Sequence, residues 1–69
     1  MQVQSYEKDH DGMSYRLMVR TPLQGRTIIR FQIARVVRGR RSWWTIPTSC
    51  KALHKQMDVL FLGELDPYR

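Results

Sequence analysis

The chain has 69 residues, a formal net charge of +6, 42% hydrophobic residues and a single cysteine. This length excludes more than one domain, and one cysteine excludes an internal disulfide and the usual spacings of zinc sites. The longest apolar run, residues 59–62, is too short to cross a bilayer, and the first residues lack the apolar segment of a signal peptide. We therefore expect one small cytoplasmic domain over residues 1–69, with no membrane insertion, whose limited core also favours a homodimer.

The positive charge is concentrated in the middle of the chain. Residues 12–57 contain ten basic residues and no acid, whereas all six acids lie towards the two ends. Nine of the twelve cations are arginine, whose planar guanidinium group matches phosphate and carboxylate oxygens two at a time. Because a field of one sign attracts polyanions, this distribution predicts an anionic partner.

The first half of the chain predicts strands. Residues 2–6 alternate weakly and are typical of an edge strand, and residues 9–12 (Asp-His-Asp-Gly) predict a turn. Residues 13–20 alternate with period two between an apolar set and a set that is polar except for Met18, which predicts a half-buried strand. Its buried face would carry Met13, Tyr15, Leu17 and Val19.

A second long strand is predicted after a connection at residues 21–26, which contains one proline and one glycine. Residues 27–38 are rich in β-branched side chains and would form an antiparallel hairpin with the preceding strand. Arg35 would fall on the apolar face of this strand. We therefore expect a bulge or bend near Ala34 and Arg35.

The last third predicts a short strand and a helix. Residues 39–42 interrupt the pattern, residues 43–46 predict a strand, and Pro47 ends it. Thr48 or Ser49 would then cap a helix whose apolar residues recur at helical spacing. These apolar residues are Cys50, Leu53, Met57, Leu60 and Phe61.

The end of this helix has two interpretations. The helix can continue to Leu62 with Gly63 as the residue that follows its C-cap, or it can be two turns long and be followed by a strand at residues 59–62. The predicted fold is a small β-rich α+β domain, in which a twisted antiparallel sheet of three to five strands packs on one C-terminal helix. A partly open SH3-like or OB-like barrel is the variant favoured if residues 59–62 form a strand.

The main candidate site is the polar face of the predicted hairpin. Strand alternation sends Arg16 and Arg20 to the side opposite the apolar face of the first strand. It sends Arg30 and Arg38 to the corresponding side of the second. Four arginines would then project from one surface, which predicts a platform for phosphates, although an ordinary solvated face is the alternative.

A second candidate is the segment at residues 38–44, which combines three arginines with two indoles. Arg40 and Arg41 are followed closely by Trp43 and Trp44. Cations that follow a backbone and rings that accept bases are typical of single-stranded nucleic-acid binding. Because neighbouring residues of a strand face opposite sides, we expect one tryptophan in the core and the other exposed.

Lys51 and Lys55 form a third candidate, because they lie in the first two turns of the predicted helix. Together with the free N–H groups of the helix start they could receive a phosphate. An exposed helix face is the simpler interpretation.

The sequence contains no convincing catalytic or metal-binding group. Cys50 and His54 share a helix face at i and i+4, but Cys50 belongs to the apolar stripe and is better described as a buried small hydrophobe. Residues 9–11 offer two carboxylates and one imidazole without a fourth ligand at useful spacing. We therefore expect no enzyme activity, no catalytic residues, no bound metal and no cofactor.

The predicted function is a small nucleic-acid-binding module for DNA or RNA, which recognises mainly the backbone and stacked bases. The arginine-rich sheet face and the Arg-Arg-Ser-Trp-Trp segment would carry the binding. The alternative is a small protein-binding effector or inhibitor, of the kind that phages make as accessory proteins, which docks on an acidic host protein. A membrane-surface or purely structural role is a third possibility.

Overall fold

The computed structural model describes residues 1–68. Four strands come first and helical segments follow, in the order β1 (Gln2–His10), β2 (Met13–Thr21), β3 (Ile28–Val37), β4 (Arg40–Thr45), α1 (Lys51–Leu60), α2 (Leu62–Leu65) and a 3-10 turn (Asp66–Tyr68). The strands form one antiparallel, open sheet in chain order, so that β1 and β4 are its edges. The predicted α+β architecture, with one sheet and a C-terminal helix, is confirmed at this level.

Two tight turns fix the register of the outer strand pairs. Asp11 and Gly12 join β1 to β2, with His10 opposite Met13, and both turn residues have positive φ, 51° and 77°. Arg38 and Gly39 join β3 to β4 with φ of 52° and 74°. Positive φ at both central residues is the requirement of a type I′ turn, whose twist matches that of the strands it connects.

The core lies between one face of the sheet and the C-terminal helices. Strand alternation places one apolar set on this face, because successive side chains point to opposite sides. The buried residues are Tyr15, Leu17, Val19, Phe31, Ile46, Met57, Phe61 and Leu65. Phe61 lies beside Phe31 with ring centroids 6.2 Å apart, which joins the helical layer to the centre of the sheet.

Strand β1 also contacts the helical segments, through side chains on the face of the sheet that the helices cover. Lys8 Nζ donates to the carbonyl oxygen of Leu60 at 3.0 Å and forms an ion pair with Glu64 at 2.8 Å. The hydroxyl groups of Tyr6 and Tyr68 both donate to Gln4 Oε1, which attaches the 3-10 turn to the same strand. Contacts with Gln4 and Lys8 therefore hold the C-terminal segment against β1.

The expected bulge near Arg35 is wrong. The β3–β4 register continues without interruption through Ala34 opposite Trp43, Arg35 opposite Ser42, and on to Val37. Arg35 does fall on the helix side of the sheet, as the alternation implies, but it is exposed there. The charge is tolerated because the core does not extend to this end of β3.

The assignment of residues 38–42 is also corrected. Arg38 is a turn residue rather than part of a strand face, and Arg40 and Arg41 belong to β4 rather than to a loop. The physical reason is that a type I′ turn needs only two residues, so both strands continue almost to the tip of the hairpin.

The helix begins and ends differently from the prediction. Cys50 is its N-cap residue, without a side-chain capping hydrogen bond, and it is exposed rather than buried. The helix ends at Leu60, and Gly63 lies inside α2 rather than following a C-cap. Residues 59–62 thus belong to helical segments and the turn between them, not to a strand. Within residues 1–68, no helix has the length and apolar character needed to span a membrane.

Candidate functional site

The face of the sheet opposite the helices carries a basic surface, which we call the open face. The register places Arg16 beside Gln32, Met18 beside Arg30, and Arg20 beside Ile28 on neighbouring strands. The same alternation brings the side chains of Trp43 and Arg41 to this face from β4. The arginines of the open face are Arg16, Arg20, Arg30 and Arg41.

The ring of Trp43 contacts two of these arginines. The guanidinium carbon of Arg16 lies 4.4 Å from the centroid of its ring, and that of Arg41 lies 4.7 Å from it. In the register, Arg16 is on the Thr45 side of Trp43 along the strand, whereas Arg41 is on the other side. The two cations therefore bracket the indole, each attracted by the electron-rich face of the ring.

Hydrogen bonds along one row of the sheet orient Arg16 further. Arg16 Nε donates to Gln32 Oε1 at 2.7 Å, and Gln32 Nε2 donates to Thr45 Oγ1 at 3.2 Å. This chain of bonds crosses from β2 through β3 to β4. Arg16 is half-buried by these neighbours, so its guanidinium group is held in place before any partner binds.

The opposite end of the open face contains a shallow depression of about 250 Å³. Arg20 and Arg30 lie at this depression together with Gln32. Apolar side chains complete its lining, namely Met1, Val3, Met18 and Ile28. An uncovered apolar hollow between two arginines is suited to a partner that is anionic and has flat apolar parts.

Acidic residues bound the open face at the β1 edge. Glu7 lies opposite Arg16 in the register, and Asp9 lies opposite Ser14, whose hydroxyl donates to Asp9 Oδ1 at 2.7 Å. Both acids line a cleft of about 280 Å³ that also includes Arg41. The positive surface therefore runs over β2, β3 and β4 and stops at β1.

Beyond the last β2–β3 pair, β3 and β4 continue as a two-stranded ribbon, the β3–β4 arm (residues 34–43), while β1 and β2 continue beside its base to their own turn at Asp11 and Gly12. The pairing of β3 with β2 ends at Ile33, whereas its pairing with β4 continues to Val37. Residues 35–42 are all exposed. The arm contains four arginines and no acid, namely Arg35, Arg38, Arg40 and Arg41.

The two tryptophans lie on opposite faces, as the alternation predicts, but neither is buried. Trp43 is half-buried on the open face, and Trp44 is 54% exposed on the helix side. The guanidinium carbon of Arg35 lies 4.9 Å from the centroid of the Trp44 ring. The expectation of one core indole is wrong because Ile46, which directly follows β4, is the core residue at this edge of the sheet.

The structure separates the predicted site residues into three groups. Arg16, Arg20, Arg30, Arg41 and Trp43 share the open face. The β3–β4 arm also carries Arg38 at its tip and Arg40 on its helix side, and Trp44 lies on the helix side just before the arm begins. Lys51 and Lys55 are exposed on α1, which covers the opposite side of the sheet, so they are not part of the open face.

The weaker chemical candidates contact other groups. His54 Nε2 lies 3.1 Å from the carbonyl oxygen of Ile46, and its ring meets Phe31 edge-on with centroids 5.2 Å apart. In the turn between β1 and β2, Asp9 accepts from Ser14, whereas Asp11 lies 3.3 Å from His10 Nε2. The two carboxylates thus have different partners.

Sequence reasoning missed Arg35 as part of these surfaces, and it missed the role of Gln32 in orienting Arg16. Arg35 was excluded by the expected bulge, although simple continuation of the period-two pattern would have put it on the same side as Trp44. Gln32 carries no charge, so its role in orienting Arg16 becomes visible only when the strand register is known.

Comparisons with protein-family models, with curated proteins and with solved structures each find no match for this chain.

Proposed function

We propose that this protein is a nucleic-acid-binding module whose open face contacts the phosphate backbone. The observation that carries this proposal is the Arg16–Trp43–Arg41 arrangement, in which one indole holds two guanidinium groups on an uncovered sheet face. The ring holds one cation on each side of it, so the site presents two positive charges at fixed positions to an anionic partner. Phosphate groups accept paired hydrogen bonds from guanidinium forks and so fit such a site.

The remaining arginines of the open face extend this surface along the sheet. Arg20 and Arg30 are exposed beside the depression, two strand positions or more from Arg16. Arginines spaced along a sheet can contact successive phosphates of one backbone. Binding of this kind releases counterions, and its affinity therefore falls steeply as salt concentration rises.

The tryptophans act through the arginines in this proposal. A base that stacks on Trp43 must displace Arg16 or Arg41, because these groups already contact the ring. The indole is thus better suited to positioning cations for a backbone than to serving as a stacking platform. Affinity would come from phosphate contacts, which carry little sequence information.

The first prediction concerns Arg20→Gln combined with Arg30→Gln. We expect weaker binding of nucleic acid, and a plot of log affinity against log salt whose slope is smaller by about two units, because two phosphate contacts are lost. Fluorescence anisotropy with labelled single-stranded and duplex DNA and RNA, measured from about 50 to about 200 mM salt, determines both quantities.

The matched control is Lys51→Gln combined with Lys55→Gln, which removes the same charge from α1, away from the open face. This variant should retain the wild-type slope. Equal losses in the two double variants would show that only net charge matters and would contradict the proposed site. Failure of the wild-type protein to bind any of the four ligands would reject the function itself.

A second candidate function is docking on an acidic protein. The specific observation that favours it is the apolar lining of the depression, where Val3 is 55% exposed and Ile28 is 41% exposed between arginines. Buried arginines and apolar anchors dominate the energetics of protein interfaces. In that case Met18→Asp should abolish capture of one protein, and nucleic acid at physiological salt should not compete for it.

A further inference from the structure

The β3–β4 arm has the dimensions of a groove-binding element. From Ile33, the last β3 residue paired with β2, the strand continues for four residues to Val37 before the turn. At about 3.4 Å per residue this part of the arm is about 13 Å long. The major groove of B-form DNA is about 8.5 Å deep and about 12 Å wide, and it accepts a two-stranded ribbon.

Other nucleic-acid surfaces fit the arm less well. The minor groove of B-form DNA is only about 6 Å wide, which is too narrow for a ribbon with large side chains on both faces. The major groove of duplex RNA is deep and too narrow for side chains to enter. Single strands are bound mainly by free aromatic faces, whereas Arg35 already lies over Trp44 and two arginines bracket Trp43.

The chemistry at the end of the arm also suits the floor of a major groove. Arg38 and Arg40 offer guanidinium forks at or next to the tip, and such forks match the O6 and N7 atoms of guanine. Val36 and Val37 are 72% and 56% exposed on opposite faces of the ribbon. Exposed methyl groups of this kind can contact the methyl group of thymine.

The backbone at the tip supports a role for Arg38 beyond the turn. Its φ of 52° is a left-handed conformation that side chains other than glycine, asparagine and aspartate rarely adopt. Type I′ turns strongly prefer asparagine or aspartate before glycine, and Asp11-Gly12 follows that rule in this same chain. Arginine at the matching position lowers local stability, and it places a cation at the outermost point of the arm.

We infer that the β3–β4 arm inserts into the major groove of duplex DNA while the open face contacts the flanking phosphates. This inference rests on the proposed function and specifies its ligand. Arg38 and Arg40 would contact base edges, and Arg16, Arg20 and Arg30 would contact the backbone beside the groove. Arg41 lies opposite Val36 in the outer half of the arm and its guanidinium group reaches Trp43 at the base, so it would serve both surfaces.

The experiment that tests it is chemical protection of a short duplex by the bound protein. Dimethyl sulfate methylates guanine N7 in the major groove and adenine N3 in the minor groove, so one reaction reports on both. We expect the wild-type protein to protect guanine N7 and to leave adenine N3 reactive. Protection of adenine N3 alone, or of neither atom at full occupancy, would overturn the inference.

A double variant of the arm, Arg38→Asn with Arg40→Gln, links this protection to the arm. It gives the turn the favoured Asn-Gly sequence, so the hairpin should remain folded. We expect duplex DNA affinity to fall at least tenfold and guanine N7 protection to disappear. Anisotropy with single-stranded DNA should change less than threefold, because the phosphate contacts of the open face remain.

Two outcomes separate this inference from the proposed function. If the protein binds nucleic acid with a steep salt slope but the arm variant loses single-stranded and duplex affinity equally, groove insertion is wrong and backbone binding stands. If the open-face variant Arg20→Gln/Arg30→Gln leaves affinity and slope unchanged, the proposed function of that face fails, whatever the arm does. The Lys51→Gln/Lys55→Gln variant serves as the charge-matched control in both measurements.

Discussion

Arg38 is the residue at which local stability and the proposed binding are most clearly opposed. A non-glycine residue in the left-handed region costs about 1 kcal/mol or more of stability. The cost is smaller for asparagine, because its side chain hydrogen-bonds to the local backbone. The other I′ turn of this protein uses Asp11 and Gly12 at the equivalent positions. The strain at Arg38 therefore follows from its side chain and not from the hairpin itself.

We predict that Arg38→Asn stabilises the protein by about 0.5–1 kcal/mol, because it relieves strain at a positive φ. For a domain of this size that gain corresponds to a rise in Tm of several degrees, about 4–8 °C per kcal/mol, measurable by thermal unfolding. Arg40→Asn is the control, since it removes the same charge from a strand position. An Arg38→Asn variant no more stable than Arg40→Asn would contradict this explanation.

At the scale of single elements, a side chain of β1 stabilises the C-terminal end of α1. Its first turn contains no acid, its last turn contains no base, and its N-cap residue makes no side-chain bond. Lys8 from β1 supplies the missing cation, because it donates to the carbonyl oxygen of Leu60 and pairs with Glu64 of α2. A positive charge there also complements the negative end of the helix dipole.

Glu64 makes this contact pH-dependent. The hydrogen bond from Lys8 lowers the pKa of the Glu64 carboxyl below its ordinary value of 4.5, with help from a backbone hydrogen bond and the charge of Lys8. Because the folded state favours the ionised form, the contribution of Glu64 to stability is fully present above about pH 4.5. It is lost as the pH falls through the lowered folded-state pKa.

We therefore predict that Glu64→Gln is less stable than the wild type at neutral pH and that the difference disappears in acid. Urea unfolding at neutral pH and well below pH 4.5 gives the comparison. Lys8→Gln should be non-additive with Glu64→Gln at neutral pH, because the two residues share one contact. A stability difference that persists unchanged in acid would show that the carboxylate charge does not contribute.

The strands show which structural features an alternation of period two predicts and which it does not. It correctly predicted Tyr15, Leu17 and Val19 as the buried face of β2 and the hairpin of β2 with β3, because each side of a strand repeats every second residue. Met13, predicted on the same face, is 42% exposed because it lies at the end of the strand, beyond the core. The prediction at Arg35 was wrong because we assumed that a charge on the apolar side requires a bulge. The alternation itself continued, and the core simply ended before that residue.

At the scale of the whole molecule, a small core supports an elongated shape. The principal dimensions are 39, 23 and 22 Å, and eight of the residues that the structure describes form the buried core. A single core in a chain of this length rarely contributes more than about 3–5 kcal/mol of net stability. Each large core side chain is therefore decisive, above all Phe61, which is fully buried between the helices and Phe31.

We predict that Phe61→Ala unfolds most of the protein at 25 °C. Truncating a buried phenylalanine costs about 3–5 kcal/mol, which equals the whole stability expected here. Far-UV circular dichroism over a thermal ramp measures the effect. Val59→Ala, two residues earlier in the last turn of α1 but 71% exposed, should melt close to the wild type. A cooperative Phe61→Ala transition within a few degrees of wild type would show that the core is larger than these eight residues indicate.

The sequence by itself determined the strands, the β1–β2 turn, the C-terminal helix and the positive middle of the chain. These features depend on local pattern and composition, which are fully present in the order of residues. It also placed Arg16, Arg20 and Arg30 opposite the apolar sides of their strands, and a hairpin with one buried face brings these three to one surface. Their joint role in binding stays a proposal.

Only the tertiary structure decided which cations act together. The two-residue turn at Arg38 moved Arg40 and Arg41 into a strand, and the register then brought Arg16 and Arg41 to the same indole. Packing of α1 on the other side of the sheet separated Lys51 and Lys55 from the open face. Pairing between distant segments sets these relations, and a linear pattern of charges contains no information about which strand edges and faces meet.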